Sequence, residues 1–325
     1  MKMTPLVLVT GCLLIFSSVL FVSFLLPWHT ISEEPSDIVR PRTALEEEGR
    51  RLYRNNGCTF CHTQFVRPID WGPGAERISQ AGDYVLDTPH LVGTERWGPD
   101  LSQQGGLHPD DWHVAHFINP RFTRPESLMP NWEFLGMEKI NTLIAYIQSL
   151  GFKLADQRME RQNYWKEQAV AAFRAGPEEN VKWMHDHVPS TWRTMPNPYP
   201  TTDYRLARGH RIYQGFCIGC HGPIGDGMGP AQAYLDPPPL NFTILRGRGV
   251  TGGILYYQIM NGITGTAMPF FKNELESEKI WAVGDYVAVY FIGESDAGTE
   301  TGNIDVANDI RGPKARALEA EKETK

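Results

Sequence analysis

The sequence predicts a mostly α-helical protein: one N-terminal transmembrane helix, then two small helical domains built to one plan and joined by a helical linker. Three observations carry that expectation. Pro5 to Leu26 is an apolar run of 22 residues without a charge. The stretch Gly57-Cys58-Thr59-Phe60-Cys61-His62 returns as Phe216-Cys217-Ile218-Gly219-Cys220-His221, its first cysteine 159 residues further on. After each motif a Met-Pro pair, Met129-Pro130 and Met268-Pro269, precedes a segment of helical periodicity.

At about 1.5 Å per residue the apolar run reaches roughly 33 Å, enough for a hydrocarbon core of about 30 Å. A cleaved signal peptide would have an apolar region of about 7–15 residues and a small-residue cleavage site, and neither fits well. Val9-Thr10-Gly11-Cys12 has the look of a bacterial lipidation site, but apolar residues continue for fourteen positions beyond it, so Cys12 reads as a small residue within the span. Lys2 precedes the span while Glu33, Glu34 and Asp37 follow it. The bias of Lys and Arg toward the cytoplasm then places the N-terminus inside and everything after Trp28 outside. Trp28 and His29 suit the interfacial belt.

The 325 residues have room for about two domains. Four of the five cysteines lie in the two motifs, which leaves no pair for a structural disulfide. A net charge of -7 and the lack of a basic stripe argue against nucleic acid as a partner.

Two cysteines three apart on a helical turn present their sulfurs on one side, so both can add to the vinyl groups of a single haem, and the next residue, histidine, points at the iron. The pattern reads as two covalently bound haem c groups. A zinc ribbon would favour Cys pairs closer in sequence. A redox dithiol would need a strand–helix frame and has no reason to place histidine after the second cysteine both times.

In chain order, Thr43 to Tyr53 reads as the helix that delivers Cys58. Thr63 to Gln104 is irregular and rich in Gly and Pro, and its turn Gly98-Pro99-Asp100-Leu101 offers a carbonyl to the other ring N–H of a ligating histidine. A helix from Pro109 to Ile118 carries His113 and His116, two further candidate ligands whose simpler role is packing. Met129, in an extended loop stiffened by Pro130, is the better sixth ligand. Its rival Met137 starts the closing helix, Glu138 to Leu150, where packing is the simpler role. Two charged helical segments, Leu154 to Ala175 and Glu178 to His187, lead to Pro196-Asn-Pro-Tyr-Pro200; Trp165, Trp183 and Trp192 indicate that parts of them pack. The plan restarts with a helix from Tyr204 to Tyr213, the second motif, a glycine-rich loop to Pro230 and the turn Pro237-Pro-Pro-Leu240. No Gly-Lys-Ser/Thr follows that loop, so its glycines suit close passage of backbone over a porphyrin edge rather than a phosphate. Met268 is the candidate ligand, with Met228 and Met260 as rivals, and Glu278 to Tyr290 is the closing helix. From Glu294 the chain turns polar and reads as a flexible or partner-bound tail.

The run Gly57 to Pro68, then Trp97 to Leu101, Asp111 to His116, Asn119 to Arg121 and Pro125 to Pro130 together resemble the membrane-anchored mono-haem subunit II of cbb3-type cytochrome oxidases over residues 1 to about 150. The resemblance implies thioethers at Cys58 and Cys61, proximal His62 and distal Met129. It also implies a polytopic catalytic partner holding haem b, a second b-type haem and copper. Subunit II normally ends near its first haem domain; here residues 201–293 resemble a single-haem cytochrome c domain. The expected divisions are an anchor (1–30), a first cytochrome domain (31–151), a helical linker (152–200), a second cytochrome domain (201–293) and the tail (294–325).

His/Met ligation fills both axial positions, and such a haem exchanges electrons. The chain is therefore expected to be an electron-input subunit, not catalytic alone, of a cbb3-like haem-copper oxidase in the bacterial inner membrane, with its haem domains on the periplasmic side. Its donor would be a soluble cytochrome c or a quinol-oxidising complex. The alternatives are the same role beside a nitric oxide-reducing core, a free-standing anchored carrier, and a dihaem peroxidase-like enzyme in which Met129 or Met268 does not bind.

Overall fold

A computed structural model describes residues 4–30, 34–71 and 76–293; the expected tail, Lys2 and Glu33 lie outside the described residues. The chain divides into two units, one of residues up to 41 with 79–90, the other of 42–78 and from 91 onward.

In the first unit the apolar run forms one helix, Pro5–Thr30, with mean hydropathy 2.5, long and apolar enough to cross a membrane. It consists of α1 (Pro5–Leu20), a wide π-type turn (Phe21–Leu25) and α2 (Leu26–Thr30). The Thr4 side chain accepts from the Val7 N–H, and Pro5 occupies the first turn, where an N–H has no partner to lose. Pro27 has no N–H for the helical ladder, and the widened turn ends two residues before it. The remainder of this unit folds residues 34–41 onto 79–90. There the Ser36 N–H donates to the Gly82 carbonyl at 3.1 Å and the Ser36 hydroxyl to Asp83 Oδ1 at 2.6 Å.

The second unit opens with α3 (Ala44–Asn55), started by a capping box in which Thr43 and Glu46 satisfy each other's backbone N–H. After the irregular section come α4 (Asp110–Ile118), α5 (Pro120–Thr123) and α6 (Gly136–Ser149). The connector forms α7 (Phe152–Ala175), α8 (Pro177–Asp186) and the short α9 (Ser190–Arg193). The second motif then lies between α10 (Asp203–Phe216) and α11 (Ile218–His221), followed by α12 (Gly252–Asn261) and α13 (Ser277–Val287). No β-strand occurs among the described residues.

Both halves of this unit are organised around the same crossing of first and last helix. On α3, Gly49 lies so close to α6 that a Cβ there would stand 2.2 Å from the Thr142 carbonyl oxygen, and on α10 a Cβ at Gly209 would stand 2.1 Å from that of Ala282 on α13. One turn further on, Tyr53 packs on Tyr146 at 5.3 Å and Tyr213 on Tyr286 at 5.6 Å. A Gly-x-x-x-Tyr pattern thus lets two backbones touch and fills the space beyond the contact with two rings. Gly209→Ala is expected to force α10 and α13 apart and to destabilise the fold by about 1–3 kcal/mol, as overpacking does. Denaturant titration of the variant checks it; an unchanged midpoint would contradict the crossing.

The connector is built into both halves rather than strung between them. Arg158 of α7 donates through Nε to the Gly105 carbonyl at 2.7 Å, and Lys166 pairs with Asp111 at 2.6 Å. On its other flank the Gly265 N–H donates to Gln162 Oε1 at 2.7 Å. Val181, Met184 and Val188, from α8 and the turn after it, join the buried cluster of Ile212, Ile254, Trp281 and Phe291. Burying side chains of this size contributes about 1.5–3 kcal/mol each.

Candidate haem sites

The two motifs are delivered in similar ways. Gly57, with φ of 72°, turns the end of α3 into a 3-10 turn, Cys58–Phe60. At the second motif Cys217 caps α10 and leads directly into α11. None of the four motif cysteines is paired in a disulfide, and burial pushes the thiols of Cys58, Cys217 and Cys220 each up to about 12. Among the described residues no group of three or more His, Cys, Asp or Glu is placed to hold a metal ion.

His62 Nδ1 lies 2.9 Å from the Pro99 carbonyl oxygen. Because a carbonyl only accepts, Nδ1 carries the proton and Nε2 keeps its lone pair. This is the acceptor that the Gly-Pro-Asp-Leu turn was expected to offer. A Cβ at Gly98 would stand 2.3 Å from His62 Cε1, so glycine lets the turn lie against the ring edge. Asp100 fastens the turn to the motif by accepting from the Thr63 hydroxyl at 2.6 Å and the Phe65 N–H at 2.8 Å. Burial lowers the His62 pKa, while the Pro99 carbonyl and the Asp100 carboxylate oppose that shift. His221 is pushed down to about 4, again mainly by burial. The Leu240 carbonyl of the Pro-Pro-Pro-Leu turn acts in the opposite direction, but its geometry falls short of a hydrogen bond, and Nδ1 is buried without one. Both imidazoles are therefore held neutral, the state that can ligate iron.

The loops bearing the two candidate distal methionines share a local device. Met129 N–H donates to the Ser127 hydroxyl at 3.2 Å and Met268 N–H to the Thr266 hydroxyl at 3.2 Å. Arg121 Nη1 also donates to the Ser127 carbonyl at 2.8 Å, which ties the first loop to α5. The rivals are placed otherwise. Met137 and Met228 are exposed, and Met260 packs beside the core that contains Ile259.

In the second half Cys217, Cys220, His221 and Met268 line one cavity, with about 1350 Å³ of space not filled by protein atoms, part of it open to solvent. Its wall is largely apolar and includes Leu255, Ile259 and Val283. Two thiols and a neutral imidazole stand with a thioether around an apolar space, and that donor set suits a covalently attached haem. Sequence reasoning missed part of this wall: Trp112 of α4 and Trp183, Met184 and His185 of α8 also face the cavity. The tryptophans of the connector were the available signal. In the first half Cys58 and Met129 flank the buried cluster of Leu101, Ile140 and Ile144. His116 approaches Met129 Sδ through Nε2 at 3.3 Å and lies within electrostatic reach of His62. His113 is buried against His108, Trp112 and Phe117, a packing role.

The halves meet closely. A Cβ at Gly219, inside the second motif, would stand 2.1 Å from the Phe122 carbonyl oxygen of α5, and Cys220 Sγ lies 3.9 Å from the same oxygen. Ala115, Ala231, Ala267 and Leu235 form a small buried cluster there.

Comparison with known proteins bears on both halves. The family described as cytochrome C oxidase, mono-heme subunit/FixO, matches residues 1–169, and cytochrome C oxidase, cbb3-type, subunit III, matches residues 205–287. The first match extends past residue 150 to residue 169, so most of α7 lies within the matched region while α8 and α9 lie beyond it. No curated protein matches the chain. One similar solved chain, from the Kuenenia stuttgartiensis reducing HAO-like protein complex, is 18% identical, with 80% of this chain and 98% of that chain covered. Its TM-score of 0.27 carries no argument about the fold. The first family spans just over half of the sequence, including the apolar helix and the first Cys-x-x-Cys-His motif, so this chain belongs to the mono-haem FixO subunit family of cytochrome c oxidase, c-type cytochromes that transfer electrons, and it adds a second domain of the cbb3-type subunit III kind.

Proposed function

We propose that the protein is the dihaem electron-input subunit of a cbb3-like haem-copper oxidase. It takes electrons from a donor outside the membrane, a soluble cytochrome c or a quinol-oxidising complex, and passes them to a polytopic catalytic subunit containing haem b and copper. Cys58, Cys61, His62 and Met129 would hold one haem c, and Cys217, Cys220, His221 and Met268 the other. The observation that carries this reading is the lining of one cavity by Cys217, Cys220, His221 and Met268 together, in a chain whose other half matches the mono-haem subunit family. When bound, such a group would supply one-electron exchange. The protein's own part is to hold the donors still. Pro99 fixes the His62 ring through Nδ1, Asp100 clamps the turn, and the Ser127 and Thr266 hydroxyls set the backbone of the two methionine loops. The Pro5–Thr30 helix serves as the anchor, with its N-terminus in the cytoplasm and both haem domains on the periplasmic face of the inner membrane.

Isolation of the native complex in mild detergent tests the assignment. A polytopic haem-copper protein is expected to co-purify, and the complex is expected to consume oxygen in preference to nitric oxide. A chain that purifies alone would be a free-standing carrier, and nitric oxide turnover would transfer it to the related reductases. Reaction of the isolated ferrous chain with carbon monoxide would reveal an open iron and favour the peroxidase-like alternative.

A further inference from the structure

We propose that His116 is a positioning residue for the first haem: its Nε2–H donates to Met129 Sδ, and the Thr123 hydroxyl donates to its Nδ1. The proposal rests on Met129 being the distal ligand. His116 Nε2 lies 3.3 Å from Met129 Sδ, and Nδ1 lies 2.6 Å from Thr123 Oγ1. A neutral imidazole has one N–H and threonine one O–H, so these two close contacts share two protons. If Nδ1 kept the ring proton, the Thr123 hydroxyl would turn to its weaker acceptor, the Pro120 carbonyl at 3.3 Å, and the Nε2 lone pair would face the lone pairs of sulfur. Only the arrangement with hydrogen on Nε2 satisfies both close contacts.

The ring is fixed in this position from the side. Trp112 stacks on it at 4.8 Å and 9°, and on its other face Trp112 stacks on His108 at 3.8 Å and 11°. The three rings recur every four residues, at 108, 112 and 116, and Thr123 follows on α5. Phenylalanine could fill the same space, but it would leave the sulfur without a donor. A hydrogen bond to a thioether withdraws electron density from it, weakens its donation to iron and thereby favours the reduced state.

The test uses the full chain in detergent, titrated electrochemically while the near-red Met–Fe charge-transfer band is recorded. His116→Leu is expected to lower one of two reduction potentials and leave the other in place. It is also expected to shift one of two contributions to the band. His116→Gln, whose amide can donate to the same sulfur, should restore the band and much of the potential. Thr123→Val should move both readouts in the same direction as His116→Leu, and it decides the matter if the leucine variant fails to fold. Unchanged potentials and band in folded His116→Leu, while Met129→Leu loses its contribution, overturn the proposal alone. If Met129→Leu also changes nothing, the assignment of Met129 falls and the proposal with it.

Discussion

A chain carrying Cys217→Ser and Cys220→Ser together is expected to leave the cell with one covalently bound haem instead of two. Intact mass should fall by one haem, and the haem stain on a denaturing gel should lose about half its intensity, because the variant leaves no sulfur there to form a thioether. The substitution should also loosen the second half of the molecule. Leu255, Ile259, Val283 and Val287 face the cavity that contains the motif, so much of that core is completed only by what fills it. The reciprocal Cys58→Ser and Cys61→Ser variant should lose the other haem and retain the second. A wild-type chain with one haem, or a double variant with the wild-type mass of haem, would remove the dihaem reading.

Arg205→Ala is expected to be the most damaging single change to folding outside the haem sites. The guanidinium lies 2.9 Å from Asp285, with side chains 7% and 10% exposed, and it joins the first helix of the second half to the last. Asn197 Nδ2 donates to the other oxygen of Asp285 at 2.6 Å, and Tyr199 lies 4.7 Å beneath the guanidinium. Removing the cation leaves the carboxylate desolvated beside fewer compensating groups, a loss of about 3–5 kcal/mol for a buried pair broken on one side. Arg205→Met with Asp285→Leu should cost much less, since neither charge then has to be buried. Denaturant titration of both variants checks the argument; a loss below about 1 kcal/mol in the single variant would mean that water reaches the pair.

Several features were legible because the signal is local. Thr43 and Glu46 at capping-box spacing started a helix where one was read, and the closing helices appeared within a few residues of their expected positions. Gly98-Pro99 offered a carbonyl to His62 and supplies it. Other features were missed although a signal existed. The Gly-x-x-x-Tyr pattern at 49–53 and 209–213 is printed twice in the sequence, as is a hydroxyl two residues before each candidate methionine, at 127 and 266. A repeated pattern of that kind marks a repeated contact even before its partner is known.

By itself the sequence determined the local motifs: Cys-x-x-Cys-His twice, a Met-Pro after each, and an apolar run long enough to span a bilayer. Those properties depend on neighbours within a turn or two of helix, and spacing encodes them directly. Only the tertiary structure decided that the connector supplies a wall of the second cavity, that Gly219 of one motif is pressed against Phe122 of the other half, and that His116 rather than His113 reaches Met129. Each of these depends on how helices rotate and slide against one another. Hydrophobic periodicity defines which face of a helix is buried but not what that face will meet.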